Sequence, residues 1–178
     1  MAQRRVLHMP HPALKRIARE VAPDDVAQIM RIARDLLDTM HAGPATVGIA
    51  APQIGEEVRI AVVDCSTHPK AQEANHGLMV VVNPVIVTSE GAEVGREGCL
   101  SIPHLTANVR RATHVTVAAL DAAALVEGAG GELVVRRIDA SGFEARCVQH
   151  EIDHLDGILF LDRVDSLSRD VFRRKTYK

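Results

Sequence analysis

Two histidines and a glutamate lie close together near the end of the chain, in the segment QHEIDHLDG at residues 149–157. His150 and His154 are four residues apart, so on a helix they lie on one face, one turn from each other. Two imidazoles placed in this way can bind one divalent metal ion, and Glu151 lies beside them as a candidate base. A catalytic site of this kind needs three protein ligands and a position left for water. The pattern therefore predicts a metal site whose third ligand comes from elsewhere in the chain.

The residues that follow His154 are poor candidates for the third ligand. In metzincin proteases the motif continues to a third histidine, but here that position is Phe160, which cannot bind a metal. In thermolysin-like proteases a glutamate follows on a second helix, whereas only 24 residues follow His154 and none of them is Glu. Beyond Gly157, where the motif ends, the side-chain carboxylates are Asp162, Asp165 and Asp170. A small zinc endopeptidase, which would need a third ligand after His154, is therefore a weak hypothesis.

The three cysteines are the other candidates for the third ligand. Cys147 is on the motif helix, but it lies about 10.5 Å from His154 along the helix axis, at 1.5 Å per residue. Ligand atoms on one tetrahedral metal ion are only about 3.5 Å apart, so we expect Cys147 to pack beside His150 as a small apolar wall. Cys99 lies in EGCLS, in a segment that we expect to be extended, and is favoured somewhat over Cys65. Spacing alone leaves this choice open.

Composition excludes several classes of function. The chain has 178 residues, of which 47% are hydrophobic and 25% charged, as in an ordinary globular protein. It has three Phe, one Tyr and no Trp, and its formal net charge is −2, so nothing indicates a partner that is DNA or RNA. No apolar run approaches the roughly 20 residues of a membrane span, and MAQRRVLHMP has no signal-peptide core. We therefore expect a cytoplasmic protein that does not associate with a membrane. The chain has three widely spaced cysteines, so we expect no disulfide framework.

Hydrophobic periodicity predicts one α+β domain over residues 1–178. A first helix is predicted over 24–41 from an apolar stripe with spacings of three and four, and a second helix after Gly142 that ends at Gly157. A short terminal helix is predicted over 165–175, and a hairpin turn over 127–132. Runs rich in β-branched residues predict strands at 58–65, 78–83, 85–89, 113–120 and 132–138. We expect mostly antiparallel sheets packed around the central helix that carries His150 and His154.

Three segments together resemble the signature motifs of the peptide deformylase family. TVGIAAPQ (46–53), EGCLS (97–101) and QHEIDHLDG (149–157) are similar, in order and separation, to G-x-G-x-A-A-x-Q, E-G-C-x-S and H-E-x-x-H. The resemblance extends over nearly the whole chain. In one departure, Thr46 replaces the first motif glycine, which bears on how the loop before Gly48 runs.

The resemblance implies a metal site and a set of catalytic groups. The implied metal ligands are Cys99, His150 and His154, with water in the fourth position. Glu151 is implied to act as general base and then as general acid. The side-chain amide of Gln53 and the backbone N–H of Leu100 are the implied donors to the oxyanion. The implied reaction is hydrolysis that removes the N-terminal formyl group of formyl-methionyl nascent polypeptides and releases formate.

The resemblance also assigns residues to substrate binding. The small residues around Gly48 leave room for an extended peptide, and Glu97 and Gly98 are expected to position the cysteine that follows them. The pocket for the methionine side chain is expected to be walled by Ile49, Cys147 and the helix face around His150.

The implied cofactor is one divalent metal ion per chain. Family resemblance indicates Fe(2+) in the cell, with Zn(2+), Ni(2+) or Co(2+) possible in preparations, and the ligand types alone suit zinc. The implied partners are the formyl-methionyl ends of nascent chains. A transient ribosome contact through the basic residues Arg173, Arg174 and Lys175 is an option, although a solvated terminal helix is the favoured explanation. We expect a monomer, and the rival to an enzyme is a non-catalytic relative that binds formylated peptides.

Overall fold

The computed structural model describes residues 3–43, 46–71, 75–128 and 132–175. Within these residues the helices are α1 (Val26–Ala42), α2 (Ala123–Val126), α3 (Gly142–Leu155) and α4 (Leu167–Asp170). The strands are β1 (Gly48–Ala50), β2 (Ile60–Asp64), β3 (Leu78–Glu90), β4 (Glu93–Cys99), β5 (Ile102–Arg111), β6 (His114–Asp121), β7 (Val134–Ser141) and β8 (Val171–Arg173). None of the described helices is long and apolar enough to cross a membrane.

Two antiparallel sheets surround helix α3. One has five strands in the order β1-β2-β3-β6-β7, and the other has three in the order β4-β5-β8. Strand β2 is buried on both faces, since Ala61 and Val63 pack in the same cluster as α3 while Ile60 and Val62 pack with α1. The α+β class and the central position of α3 are therefore confirmed. The extent of one domain over all of 1–178 stays a prediction.

Helices α1 and α3 follow the predicted patterns. The Asp25 side chain caps α1 by accepting a hydrogen bond from the Gln28 backbone N–H at 3.1 Å. Its stripe of Ile29, Leu36 and Met40 is buried. Helix α3 ends before Gly157, whose φ of +69° suits glycine.

The predicted strands at 78–83 and 85–89 are one strand, β3. Pro84 cannot donate to the ladder, but it falls where the pairing with β6 shifts register, between Val82 and Val85. The strand therefore continues through the proline with a shift in register instead of ending there. The strand predictions at 58–65, 113–120 and 132–138 correspond to β2, β6 and β7, and part of the predicted turn at 127–132 lies outside the described residues.

The predicted terminal helix is largely wrong. Only Leu167–Asp170 is helical, and Val171–Arg173 forms β8, which pairs antiparallel with β5. Val171 and Phe172 are strand formers, and the edge of β5 offers them backbone partners that a short solvated helix cannot supply. Strand β8 therefore places the basic residues near the end of the chain beside β5, and these residues do not form a separate solvated helix.

Candidate metal centre

The third ligand lies on the three-stranded sheet. Cys99 is the last residue of β4, and His150 and His154 lie one turn apart on α3. One ligand atom from each of these residues lies within 4.8 Å of the others, and Cys99 Sγ is 3.2 Å from His154 Nε2. Neither Cys65 nor Cys147 belongs to this group. The geometry therefore brings together the three residues that the motifs implied.

The charge state of Cys99 suits a metal. Burial by itself raises the pKa of this thiol, but the neighbouring His154 and His150 outweigh burial and hold its pKa well below the usual range. A thiolate beside two imidazoles is a donor set that divalent metals of the zinc and iron type accept. The residues present thus fit the metal that the motif predicts.

Glu97 fixes the orientation of His150. One Glu97 oxygen lies 2.9 Å from His150 Nδ1, which leaves Nε2 as the free ring nitrogen. Arg111 contacts both Glu97 oxygens at 2.9 and 3.0 Å, and Arg146 donates to one at 2.9 Å. Although burial opposes it, hydrogen bonding to His150 and Arg111 holds the pKa of Glu97 far below its usual range. Such a partner sets the tautomer and ring orientation of a ligand histidine.

Glu151 is buried beside the ligands and lacks a partner for one oxygen. Among the described residues, no hydrogen-bonding group reaches its Oε2. Burial raises the pKa of Glu151 to about 7, even though His150 and His154 act in the opposite direction. Since the carboxylate also lines the cleft, a water or substrate group that enters is its natural partner.

Glycine is required at position 48 because there is no room for a side chain there, and not because of its backbone conformation. A Cβ added there would lie 2.6 Å from Glu151 Oε1 and 3.0 Å from two of its side-chain carbons. The strand β1 therefore approaches Glu151 as closely as a glycine permits.

We expect Gly48→Ala to lower kcat by about 10- to 100-fold, because the added methyl displaces the Glu151 carboxylate. Metal content should stay at the wild-type value, since the three atoms nearest to the added methyl group all belong to Glu151 and not to a ligand residue. In a Glu151→Gln background the same substitution should have little further effect, because both changes act through one carboxylate. Additive losses in steady-state kinetics of the double variant would contradict this explanation.

Gln53 is not a solvent-facing loop residue. It is 2% exposed, its Oε1 accepts from the Ala50 N–H at 2.9 Å, and its Nε2 lies 3.5 Å from Cys99 Sγ and 3.2 Å from Ser101 Oγ. The amide is thereby fixed with its N–H₂ group toward the ligands. Leu100 follows Cys99 and lines the same cleft.

The family model for polypeptide deformylase matches residues 3–170. The chain belongs to this family. Peptide deformylase of Alkalilimnicola ehrlichii is 42% identical over 173 residues, covering 97% of this chain and 88% of that protein. Peptide deformylase 1 of Vibrio vulnificus is 40% identical over 178 residues, covering 100% and 96%.

Solved deformylase structures have the same fold. The enzyme from Legionella pneumophila superposes with a TM-score of 0.79 at 38% identity, covering 94% of this chain and 89% of that one. A class I type b deformylase from Acinetobacter baumannii, described as bound to Met-Ala-Ser, superposes with a TM-score of 0.78 at 32% identity, covering 92% and 99%.

The cleft of this family member contains most of the predicted substrate residues. It is a cavity of about 320 Å³, and Gly48, Glu97, Gly98 and Cys147 line it. Thr46, the departure from the motif, lies in its wall. A contact with Cys65 and burial both raise the pKa of Cys147, so this thiol stays neutral.

The side chain of Ile49 does not wall the cleft as predicted. It is fully buried in the cluster with α1, on the opposite face of the five-stranded sheet. Because side chains alternate along a strand, Gly48 and Ala50 face α3 and the residue between them faces away.

Several residues of the site were missed from the sequence. Arg111 on β5 and Arg146 on α3 hold Glu97, and Phe143 lines the cleft. Arg146 lies four residues before His150, so a charged residue on the inward helix face was a usable signal. The position of Arg111 depends on the pairing of β4 with β5, which spacing does not reveal.

Proposed function

We propose that this chain is a metal-dependent peptide deformylase, which hydrolyses the formyl group from formyl-methionyl peptides and releases formate. The observation that carries the proposal is the convergence of Cys99, His150 and His154 beside the buried carboxylate of Glu151, at the wall of a cleft. Membership in the polypeptide deformylase family and the names of the relatives support the choice of substrate.

Cys99, His150 and His154 would hold the metal ion, which when bound acidifies water and polarises a carbonyl oxygen. Glu97, with Arg111 and Arg146 behind it, keeps His150 in the ligating orientation. Glu97, Arg111 and Arg146 are buried, so the glutamate is not free to turn toward solvent and its bond to His150 Nδ1 holds the ring.

Glu151 carries the proton. Its carboxylate, which lines the cleft, accepts a proton from the attacking water as the new C–O bond forms at the formyl carbon. It then donates this proton to the amine nitrogen as the C–N bond breaks. Formate and a free amino terminus are the products.

The formyl oxygen gains negative charge during the attack, and two neutral donors would stabilise it. Gln53 supplies its side-chain N–H₂, held in place by the hydrogen bond from Ala50 N–H to its oxygen. The backbone N–H of Leu100 is the second donor. Fixed neutral donors favour a charge that exists only in the transition state.

The substrate would enter as an extended chain between Gly48 and Gly98, which have no side chains to block it. The methionine side chain would pack against Phe143 and the neutral thiol of Cys147. Both oxygens of Glu97 already accept hydrogen bonds within the protein. Glu97 would therefore support substrate binding by orienting His150 more than by contacting the substrate directly.

Fe(2+) is the proposed metal in the cell, on the resemblance to deformylases alone, and metal analysis of protein purified without air tests this choice. We propose nascent chains in the cytoplasm as the source of substrate, with a monomeric enzyme and a transient ribosome contact. Sedimentation with and without ribosomes tests the last two points.

The proposed reaction predicts that protein loaded with Ni(2+) releases formate from formyl-Met-Ala-Ser. N-acetyl-Met-Ala-Ser, which differs in one methyl group at the reacting carbon, is the matched control and should yield little or no acetate. Cleavage of an internal peptide bond would instead favour an endopeptidase. Binding of the formyl peptide without turnover would favour the non-catalytic alternative.

A further inference from the structure

The mouth of the cleft is positively charged, although the whole chain has a net charge of −2. The two carboxylates that line the cleft, Glu97 and Glu151, are buried, and the first is paired with arginines. The exposed charges in the lining are Lys70, Arg96 and Arg174. An anionic group that approaches the cleft therefore meets cations first.

Sheet register explains why the two arginines, Arg96 and Arg174, lie on the same face of the sheet. Thr106 of β5 pairs with Gly98 of β4 on one side and with Phe172 of β8 on the other. Since alternate residues of a strand share a face, Arg96 lies on the face of Gly98, and Arg174 on the face of Phe172. Residues paired across strands share a face as well, so all four lie on one side of the sheet.

Both arginines are held in place by contacts that leave their charges without an acidic partner. The Arg96 guanidinium lies 3.6 Å from the centroid of the Phe172 ring. The Arg174 backbone N–H donates to the His104 carbonyl at 2.9 Å, and its guanidinium occupies the space where a Gly98 side chain would stand. Within the described part of the chain, neither arginine forms a salt bridge with a carboxylate.

We propose that Arg96 and Arg174 are specificity-determining residues that favour formyl-methionyl peptides with acidic side chains directly after the methionine. The inference rests on the proposed function. With the formyl group at Cys99 and the methionine in the cleft, the next residues of an extended peptide lie at the mouth, along β4. This strand is an edge of its sheet and can accept an extended chain.

The test compares kcat/KM for three peptide amides: formyl-Met-Glu-Glu, formyl-Met-Gln-Gln and formyl-Met-Lys-Lys. C-terminal amides remove the terminal carboxylate, so only the side chains differ in charge. We expect the Glu peptide to exceed the Gln peptide by about three- to tenfold, the effect of two exposed charge pairs, and the Lys peptide to be the poorest. The preference should fall between about 0.01 M and about 1 M salt, as the Debye length shortens from about 30 Å to about 3 Å.

Two variants separate recognition from a structural role. Arg174→Gln and Arg96→Gln should each reduce the Glu/Gln ratio, and together they should bring it close to one. Arg173→Ala, one residue away on the opposite face of β8, removes the same charge and should leave the ratio unchanged. If the arginines merely cover Phe172, their loss lowers kcat/KM for all three peptides equally, which would overturn this inference.

The outcomes also separate this inference from the proposed function. Turnover of all three peptides by the wild-type protein, with a Glu/Gln ratio near one, would overturn the specificity inference alone. No turnover of any peptide by metal-loaded protein would overturn the proposed function and this inference with it.

Discussion

Glu151→Gln should lower kcat by roughly 10²- to 10⁴-fold, the usual contribution of a general acid–base group, and leave metal content unchanged. Glutamine keeps the size and the buried position of the side chain, but its amide cannot take up and return a proton. The Glu151 carboxylate, which lines the cleft, is the base that this substitution removes. Formate release and metal analysis of the same sample measure both quantities.

The matched control is Glu144→Gln on the same helix. Glu144 is also a buried carboxylate, but it accepts hydrogen bonds from the backbone N–H of His76 at 2.7 Å and pairs with its ring at 2.8 Å, and it does not line the cleft. This control should lower stability toward denaturant and keep kcat. A Glu151→Gln protein that retained a tenth or more of wild-type kcat would contradict the proposed role of this carboxylate.

Cys99→Ala should abolish tight metal binding and, with it, turnover. The substitution removes one of three protein ligands, and it is the single ligand that β4 contributes. Loss of a residue that only hydrogen-bonds to a ligand typically lowers metal affinity by about 10- to 100-fold, so loss of the ligand itself should lower the affinity further. Equilibrium dialysis against Zn(2+) measures the loss without relying on activity.

Cys65→Ala is the matched control for this substitution. Cys65 is a fully buried cysteine outside the ligand group, so its loss removes a thiol and leaves the three metal ligands in place. This variant should bind one equivalent of metal and keep its turnover. Equal metal affinity in the Cys99 and Cys65 variants would exclude the ligand role of Cys99.

The parts of the fold that the sequence predicted well are those whose patterns are local. The stripe of Ile29, Leu36 and Met40 identified α1, and the four-residue spacing of His150 and His154 identified the metal-binding face of α3. Each signal lies within one element, where helix geometry alone fixes which residues are neighbours.

The sequence does not predict strands β4 and β5, because apolar and polar residues do not alternate cleanly in them. Strand β4, EVGREGC, is mostly exposed, and its inward positions include Gly95, Glu97 and Cys99 instead of large apolar residues. The sheet pairs it with β5, and this pairing brings Arg111 to Glu97. A contact between Cys99 and His154, 55 residues apart, likewise follows from tertiary packing and not from spacing.

Two errors have different physical origins. The wrong assignment of the Ile49 side chain was avoidable, because strand alternation puts it opposite to Gly48 once β1 is recognised. The wrong terminal helix was not avoidable from local pattern, since Val171 and Phe172 become a strand only because β5 has an edge to pair with. That strand also carries Arg174 to the cleft, whereas the sequence alone predicts only a basic tail.

X-ray absorption spectroscopy of the zinc-loaded protein is the measurement that tests the central claim most directly. Ligation by Cys99, His150 and His154 predicts one sulfur at about 2.3 Å and two imidazole nitrogens at about 2.0–2.1 Å, with a light atom completing the shell. Cys99→Ala should remove the sulfur signal, and Cys65→Ala should leave it unchanged. A shell with no sulfur, or one whose sulfur persists in Cys99→Ala, would contradict the metal centre on which the proposed chemistry depends.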